Sequence, residues 1–118
     1  PTSLIIAQAI VESNFGTSRF AIEGNNLFGI RVWSKNGILP HKQEPSINWR
    51  IKTYKTKCQS VKDYISILNN NHHYKDFRNI LARTKNPLIL AEYLDNFSTS
   101  KEYTNHVKQI LIKYKGKI

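Results

Sequence analysis

A carboxylate in apolar surroundings can hold a proton at neutral pH, because losing hydration penalises the charged form. Glu12 is the residue of that kind here. It stands late in the stretch Leu4-Ile5-Ile6-Ala7-Gln8-Ala9-Ile10-Val11, and its neighbours at helical spacing are Gln8, Ala9, Phe15 and Gly16. No Lys or Arg lies where it could neutralise the charge. A carboxylic acid still protonated near neutrality is what general acid catalysis requires. The ordinary alternative for a lone Glu is a side chain that points to solvent at the helix end. Glu92 serves as a control, since it too lies in an apolar stretch, but Asp95 and Asn96 share its helical face and make that face polar. The other reactive types are less suited to chemistry. His72-His73 falls at a helix break and reads as loop, and Cys58 has no evident His partner for thiol catalysis. Four histidines without Cys or carboxylates at ligand spacing argue against a metal site, and one cysteine excludes an intramolecular disulfide. No cofactor is expected.

The elements that must position Glu12 are mostly helical. Thr2 and Ser3 can cap a helix over 4–15, apolar on nearly every side and therefore expected to be buried, with Gly16 as its stop. A short helix follows from Ser18 to Gly24, then a turn at Asn25-Asn26 and a strand over 27–33. Asn36-Gly37 is a hairpin signal, and 49–56 alternates as a second strand. Ser60 and Asp63 resemble a capping box, followed by Val61, Tyr64, Ile65 and Leu68 at helical spacing. That helix breaks over 69–73 and resumes over 74–83. Asn86-Pro87 launches an apolar helix to Phe97, and 98–100 cap a last helix with the stripe Tyr103, Val107, Ile110, Leu111, Tyr114. The fold class expected is mainly α, with a small β-hairpin excursion between helical halves.

The chain of 118 residues suits one domain spanning 1–118. A hydrophobic fraction of 40% and an aromatic fraction of 11% exclude disorder. No apolar run approaches the roughly 20 residues of a membrane span. The chain starts at Pro1 without Met, and reads as a domain trimmed from a longer one, so no leader reports its compartment. Against 18 Lys+Arg stand 8 Asp+Glu, a net charge of +10, and the charge is unevenly placed. Residues 1–30 carry only Arg19, Glu12 and Glu23, whereas the remainder is strongly basic. Such a body attracts polyanions: nucleic acid, anionic membrane or acidic cell-wall polymer.

The segment Ala7-Gln8-Ala9-Ile10-Val11-Glu12-Ser13-Asn14-Phe15-Gly16-Thr17-Ser18-Arg19-Phe20-Ala21, followed by Gly24-Asn25-Asn26-Leu27-Phe28-Gly29-Ile30, resembles the signature of the bacterial peptidoglycan glucosaminidases, glycoside hydrolase family 73, in its Bax-like and flagellar-muramidase-like branch. The resemblance continues through Ser60-Val61, Tyr64, Leu68-Asn69, Tyr74 and Phe77-Arg78, in order, over about the whole chain. It implies a lysozyme-like α-helical domain acting at the bacterial cell envelope, periplasmic or extracellular, and expected to be a monomer. It implies cleavage of the β-1,4 bond from N-acetylglucosamine to N-acetylmuramic acid, with Glu12 as general acid protonating the glycosidic oxygen. By the same resemblance Asn26 would bond an acetamido group, and Phe28 and Gly29 would bring the turn against the sugar. Tyr103 would stand in the cleft as a catalytic partner, and Tyr64 and Tyr74 would stack on sugars. The last three, as aromatics at helical spacing, are equally core residues, and Leu27 is expected in the core in any case. Many members of the family carry an acid in the β-hairpin. Here residues 49–56 contain none and offer Arg50 and Lys52 instead, while Glu44 is the only acid in the loop before them. That departure puts a two-carboxylate mechanism in doubt and leaves room for attack assisted by the substrate's own acetamido group, or for water held by a weaker partner.

Peptidoglycan glycan strands are thus the expected partner, and nucleic acid is not. The competing readings are a lytic transglycosylase or muramidase on the same fold, a non-catalytic wall-binding domain, and a basic nucleic-acid binder. Against the last, the bases are scattered over strands and several helices, with no Arg-rich recognition helix.

Overall fold

The structure, a computed structural model, describes residues 1–34, 36–40, 48–97 and 102–118, with 95–97 described by backbone alone. Among the described residues are six α-helices and a three-stranded antiparallel sheet: α1 (Thr2–Ser13), α2 (Arg19–Gly24), β1 (Arg31–Val32), β2 (Gly37–Ile38), β3 (Arg50–Lys52), α3 (Lys57–Asn70), α4 (Lys75–Leu81), α5 (Pro87–Leu90) and α6 (Tyr103–Lys113). Short 3-10 turns over His72–Tyr74 and Ala91–Phe97 link α3 to α4 and extend α5, with a kink at Leu94. The expected mainly α fold with a small β excursion is the one observed.

Helix α1 is the spine. One side packs on α6, where Leu4 and Ala7 join Val107 and Leu111 in a core that also holds Phe28, Tyr64 and Leu90. Its N-cap is Pro1 rather than Thr2 or Ser3, without a side-chain cap. It ends two residues before the expected Phe15, at Ser13, because Asn14, Phe15 and Gly16 all take positive φ. Apolar residues all round α1 do not mean burial all round. Its second face opens into an apolar groove of about 440 Å³, lined among others by Ile6, Ile10, Phe15, Val61 and Ile65. The wide apolar circumference therefore serves a core on one side and a groove on the other.

Helix α2 starts as expected from Ser18, whose hydroxyl accepts the Ala21 N–H. The strands are shorter than the alternation suggested, two or three residues each, and the sheet order is β1-β3-β2. Arg31 pairs with Ile51, and Ile38 also pairs with Ile51 from the other side. Asn36-Gly37 is thus not the tip of a tight hairpin. Gly37 lies inside β2, where a β-carbon would come 2.6 Å from Arg50 Cβ, so the glycine is required by strand packing rather than by a turn.

The capping box that begins α3 is formed by Thr56 and Gln59, not by Ser60 and Asp63. Ser60 is buried and hydrogen-bonds back to Lys57 O, while Asp63 turns toward β3. The Asn86-Pro87 start is observed, with Asn86 accepting the Leu88 N–H. Helix α6 begins at Tyr103 with Glu102 as N-cap, and the expected caps at 98–100 lie outside the described residues. No helix among the described residues is long and apolar enough to cross a membrane.

Candidate active site

Glu12 occupies the last turn of α1, at the border between its core face and its groove face. Among the described residues its carboxylate has no hydrogen bond and no ion pair. Burial alone raises its pKa to about 7. Glu92, by contrast, is exposed and ion-paired with Lys108 at 2.6 Å. Two glutamates in similar sequence surroundings thus meet opposite fates: Glu92 is exposed and paired with a lysine, whereas burial lifts the Glu12 carboxyl to about 7.

The turn after α1 holds Glu12 in that position. Ser13 donates its hydroxyl to Ala9 O and accepts the Gly16 N–H at 2.8 Å, closing the left-handed turn from both sides. Phe15 N–H bonds to Ile10 O across it. Ser13, the second residue of the Glu-Ser pair, is therefore a clamp on the end of the helix that carries Glu12.

Gly29 is the residue brought against Glu12. Its φ is +68°, and a β-carbon built on it would lie 3.6 Å from Glu12 Oε2. A side chain here would be strained by the backbone, and its β-carbon would stand in van der Waals contact with the carboxyl.

Asn26 produces this turn but does not touch the opening. It is 1% exposed, and its amide is spent on main chain. Nδ2 donates to Ile30 O at 3.0 Å and Lys52 O at 2.9 Å, and Oδ1 accepts Phe28 N–H and Ile30 N–H. The acetamido contact expected of Asn26 is replaced by a role in tying the turn to β3. Phe28 and Tyr64 likewise lie inside, stacked on each other with centroids 4.4 Å apart, and Tyr74 is buried nearby. None of the three has a ring face free for a sugar. Leu27 packs against the core, as expected.

Tyr103 is 4% exposed, at the start of α6. Its hydroxyl accepts a hydrogen bond from Gln8 Nε2 at 3.0 Å. Burial and then the charge of Glu12 push the Tyr103 hydroxyl far above its usual range, against the Gln8 bond. The Tyr64 hydroxyl is also raised, chiefly by burial and then by the neighbouring Tyr103. Gln8 lies one helical turn before Glu12 and was legible only as a polar interruption of an apolar run. Its role as the link between α1 and α6 needed a tertiary contact.

Lys52, at the end of β3, and Tyr54 just after it both engage Asp63 of α3, with Lys52 Nζ at 2.9 Å. Burial lifts the Asp63 carboxyl, but the Tyr54 hydroxyl and Lys52 ammonium outweigh it and hold the pKa below the usual range. Asp63 is therefore a charged tie between sheet and helix. Glu44 lies outside the described residues. His72 and His73 sit on an exposed 3-10 turn, and Cys58 is exposed on α3.

Residues 1–116 match the glucosaminidase family, described as mannosyl-glycoprotein endo-β-N-acetylglucosaminidase. The chain belongs to the glucosaminidase family. This glucosaminidase domain is 25% identical over 122 residues to the exo-glucosaminidase LytG of Bacillus subtilis, covering 95% of this chain and 43% of that protein. It is 27% identical over 114 residues to the protein Bax of Escherichia coli, covering 91% of this chain and 40% of that one. The domain thus spans less than half the length of these curated relatives. No solved structure matches it at the same stringency.

Proposed function

We propose that this domain is a peptidoglycan hydrolase of the cell envelope that cleaves the β-1,4 bond between N-acetylglucosamine and N-acetylmuramic acid, with Glu12 as general acid. The observation that carries the reading is the carboxyl of Glu12: unpaired, lifted to about 7 by burial, and flanked by Gly29 within the Glu-Ser and Asn-Asn-Leu-Phe-Gly motifs. Such a group gives its proton to the glycosidic oxygen as the sugar develops oxocarbenium character. Residues 49–56 carry no acid, and Asp63 is held by Lys52 and Tyr54. The carbocation is then best met by the neighbouring acetamido oxygen of the substrate, with water completing the hydrolysis. Tyr103, through Gln8, acts as a positioning residue behind Glu12. The name of LytG favours release from chain ends and the family description favours internal cleavage. We favour internal cleavage.

The test is digestion of purified cell walls by wild type and Glu12→Gln. Wild type is expected to release fragments with reducing N-acetylglucosamine ends, and the variant to release none while remaining folded. Substantial activity in the variant overturns the role of Glu12. Mass spectrometry of the products decides the second reading, a lytic transglycosylase, which the missing hairpin acid favours because one Glu suffices for it. Anhydromuramyl ends support that reading and overturn ours. Single sugars released without a fall in strand length indicate an end-cutting enzyme instead.

A further inference from the structure

Beyond Gly29 the chain enters β1 with Arg31, and Trp33 follows directly after the strand. Two residues span at most about 7 Å, so Arg31 starts beside the turn that flanks Glu12. Its guanidinium is stacked over the Trp49 ring, 4.0 Å from the centroid. Arg31 is exposed, and among the described residues no carboxylate pairs with it. Stacking on an indole fixes the plane of a guanidinium and leaves the N–H groups on its edge directed outward. That is the arrangement that receives a carboxylate through two parallel hydrogen bonds.

Trp33 supplies the second half. The pairs Arg31↔Ile51 and Val32↔Arg50 run toward Trp33 and Trp49, so Trp33 leaves the end of β1 two residues from Arg31, at the end of the sheet where Trp49 enters β3. Trp33 is 66% exposed, the most exposed large apolar side chain of the molecule's described residues. One exposed apolar residue is ordinary by itself. Here it stands next to a pre-stacked cation, in a stretch from Leu27 to Lys57 whose only acid is Glu44. The surrounding charge therefore favours an anionic ligand, and the indole offers a flat surface to the C–H face of a pyranose ring.

We propose that Arg31 and Trp33 form a subsite for an acidic sugar, in which Trp33 stacks on the pyranose and Arg31 binds a carboxylate that the sugar carries. The identity of the ligand rests on the glycosidase reading above. The carboxylate has two possible sources in a wall polymer: the lactyl group of a muramyl residue without peptide, or the peptide stem of a substituted one.

The experiment measures binding by calorimetry with Glu12→Gln as the parent, which prevents turnover, to three ligands: chitin oligosaccharide, peptide-free wall glycan, and peptide-bearing wall glycan. Adding Arg31→Gln is expected to weaken binding of at least one carboxylate-bearing glycan about tenfold and to leave chitin oligosaccharide within about twofold. A loss confined to peptide-free glycan assigns the lactyl carboxylate, and a loss confined to peptide-bearing glycan assigns the stem. Adding Trp33→Ala is expected to weaken all three. Equal effects of Arg31→Gln on all three ligands, or no effect of either substitution, overturn the subsite while leaving hydrolysis by wild type as the separate measure of the glycosidase reading. Absence of binding to every ligand, with no hydrolysis by wild type, overturns both.

Discussion

A carboxyl with its pKa at about 7 changes charge within the working range of most enzymes, and the direction of its effects follows from its cause. In the proposed role of general acid Glu12 would work protonated, so kcat/KM on a soluble glycan should be level below pH 7 and fall about tenfold per unit above it. A profile that instead rises through pH 7 would make Glu12 a base. The same shift bears on stability. The folded state holds the Glu12 proton more tightly than the unfolded chain, whose value is near 4.5. This contribution is fully present below 4.5 and is lost as pH rises through about 7, by roughly 3 kcal/mol at most. Glu12→Gln is expected to abolish activity but to remove that penalty. Its melting temperature should match wild type at pH 4 and exceed it by several degrees at pH 8. Gly29→Ala probes the partner: its φ of +68° costs a side chain about 1–2 kcal/mol, and the new methyl faces Glu12 Oε2. Activity should fall by more than that modest loss of stability explains, measured as kcat at saturating substrate against a urea midpoint.

At the scale of elements, the turn from α2 into β1 depends on one buried side chain. Asn26→Ala would leave Phe28 N–H, Ile30 N–H and the carbonyls of Ile30 and Lys52 without the partner that now serves all four. A cost of about 2–4 kcal/mol is expected, read as a lower urea midpoint with an unchanged slope. That role could not be read from sequence, because a buried amide takes its meaning from main chain brought in from β3. The same non-local physics displaced other expectations. Ser60 and Asp63 carry the spacing of a helix cap, yet Lys52 and Tyr54 recruit Asp63 across the sheet, and Thr56 with Gln59 caps α3 instead. Asn36-Gly37 carries a turn signal, yet β2 pairs with β3 and uses Gly37 for its missing side chain. What could be read locally was the helical framework: Ser18, Asn86-Pro87 and the Tyr103-Val107-Leu111 stripe all act as their types and spacing imply. Glu12 was legible for a related reason. Its isolation from counter-charge follows from helical neighbours alone, whereas the Gln8 link to Tyr103 spans 95 residues of sequence.

For the whole molecule the organising quantity is charge. The first 30 residues, which hold Glu12 and Gly29, are close to neutral, and the excess base lies in the sheet and the later helices. This separation has a chemical use. Cations close to Glu12 would stabilise its ionised form and lower the pKa that general acid catalysis needs, whereas cations farther away can attract a polymer bearing carboxylates without doing so. The two ranges respond differently to salt. At about 0.1 M salt the screening length is about 10 Å, and at 1 M about 3 Å, so long-range attraction fades while a desolvated carboxyl keeps its pKa. Binding of Glu12→Gln to insoluble walls should therefore weaken several-fold between 50 mM and 500 mM salt, chiefly through slower association. Over the same range the upper limb of the wild-type pH profile, followed on a short uncharged chitin oligosaccharide, should stay near 7. Wall binding indifferent to salt would separate the net charge from function, and an upper limb that moves with salt would mean that distant cations already act on Glu12.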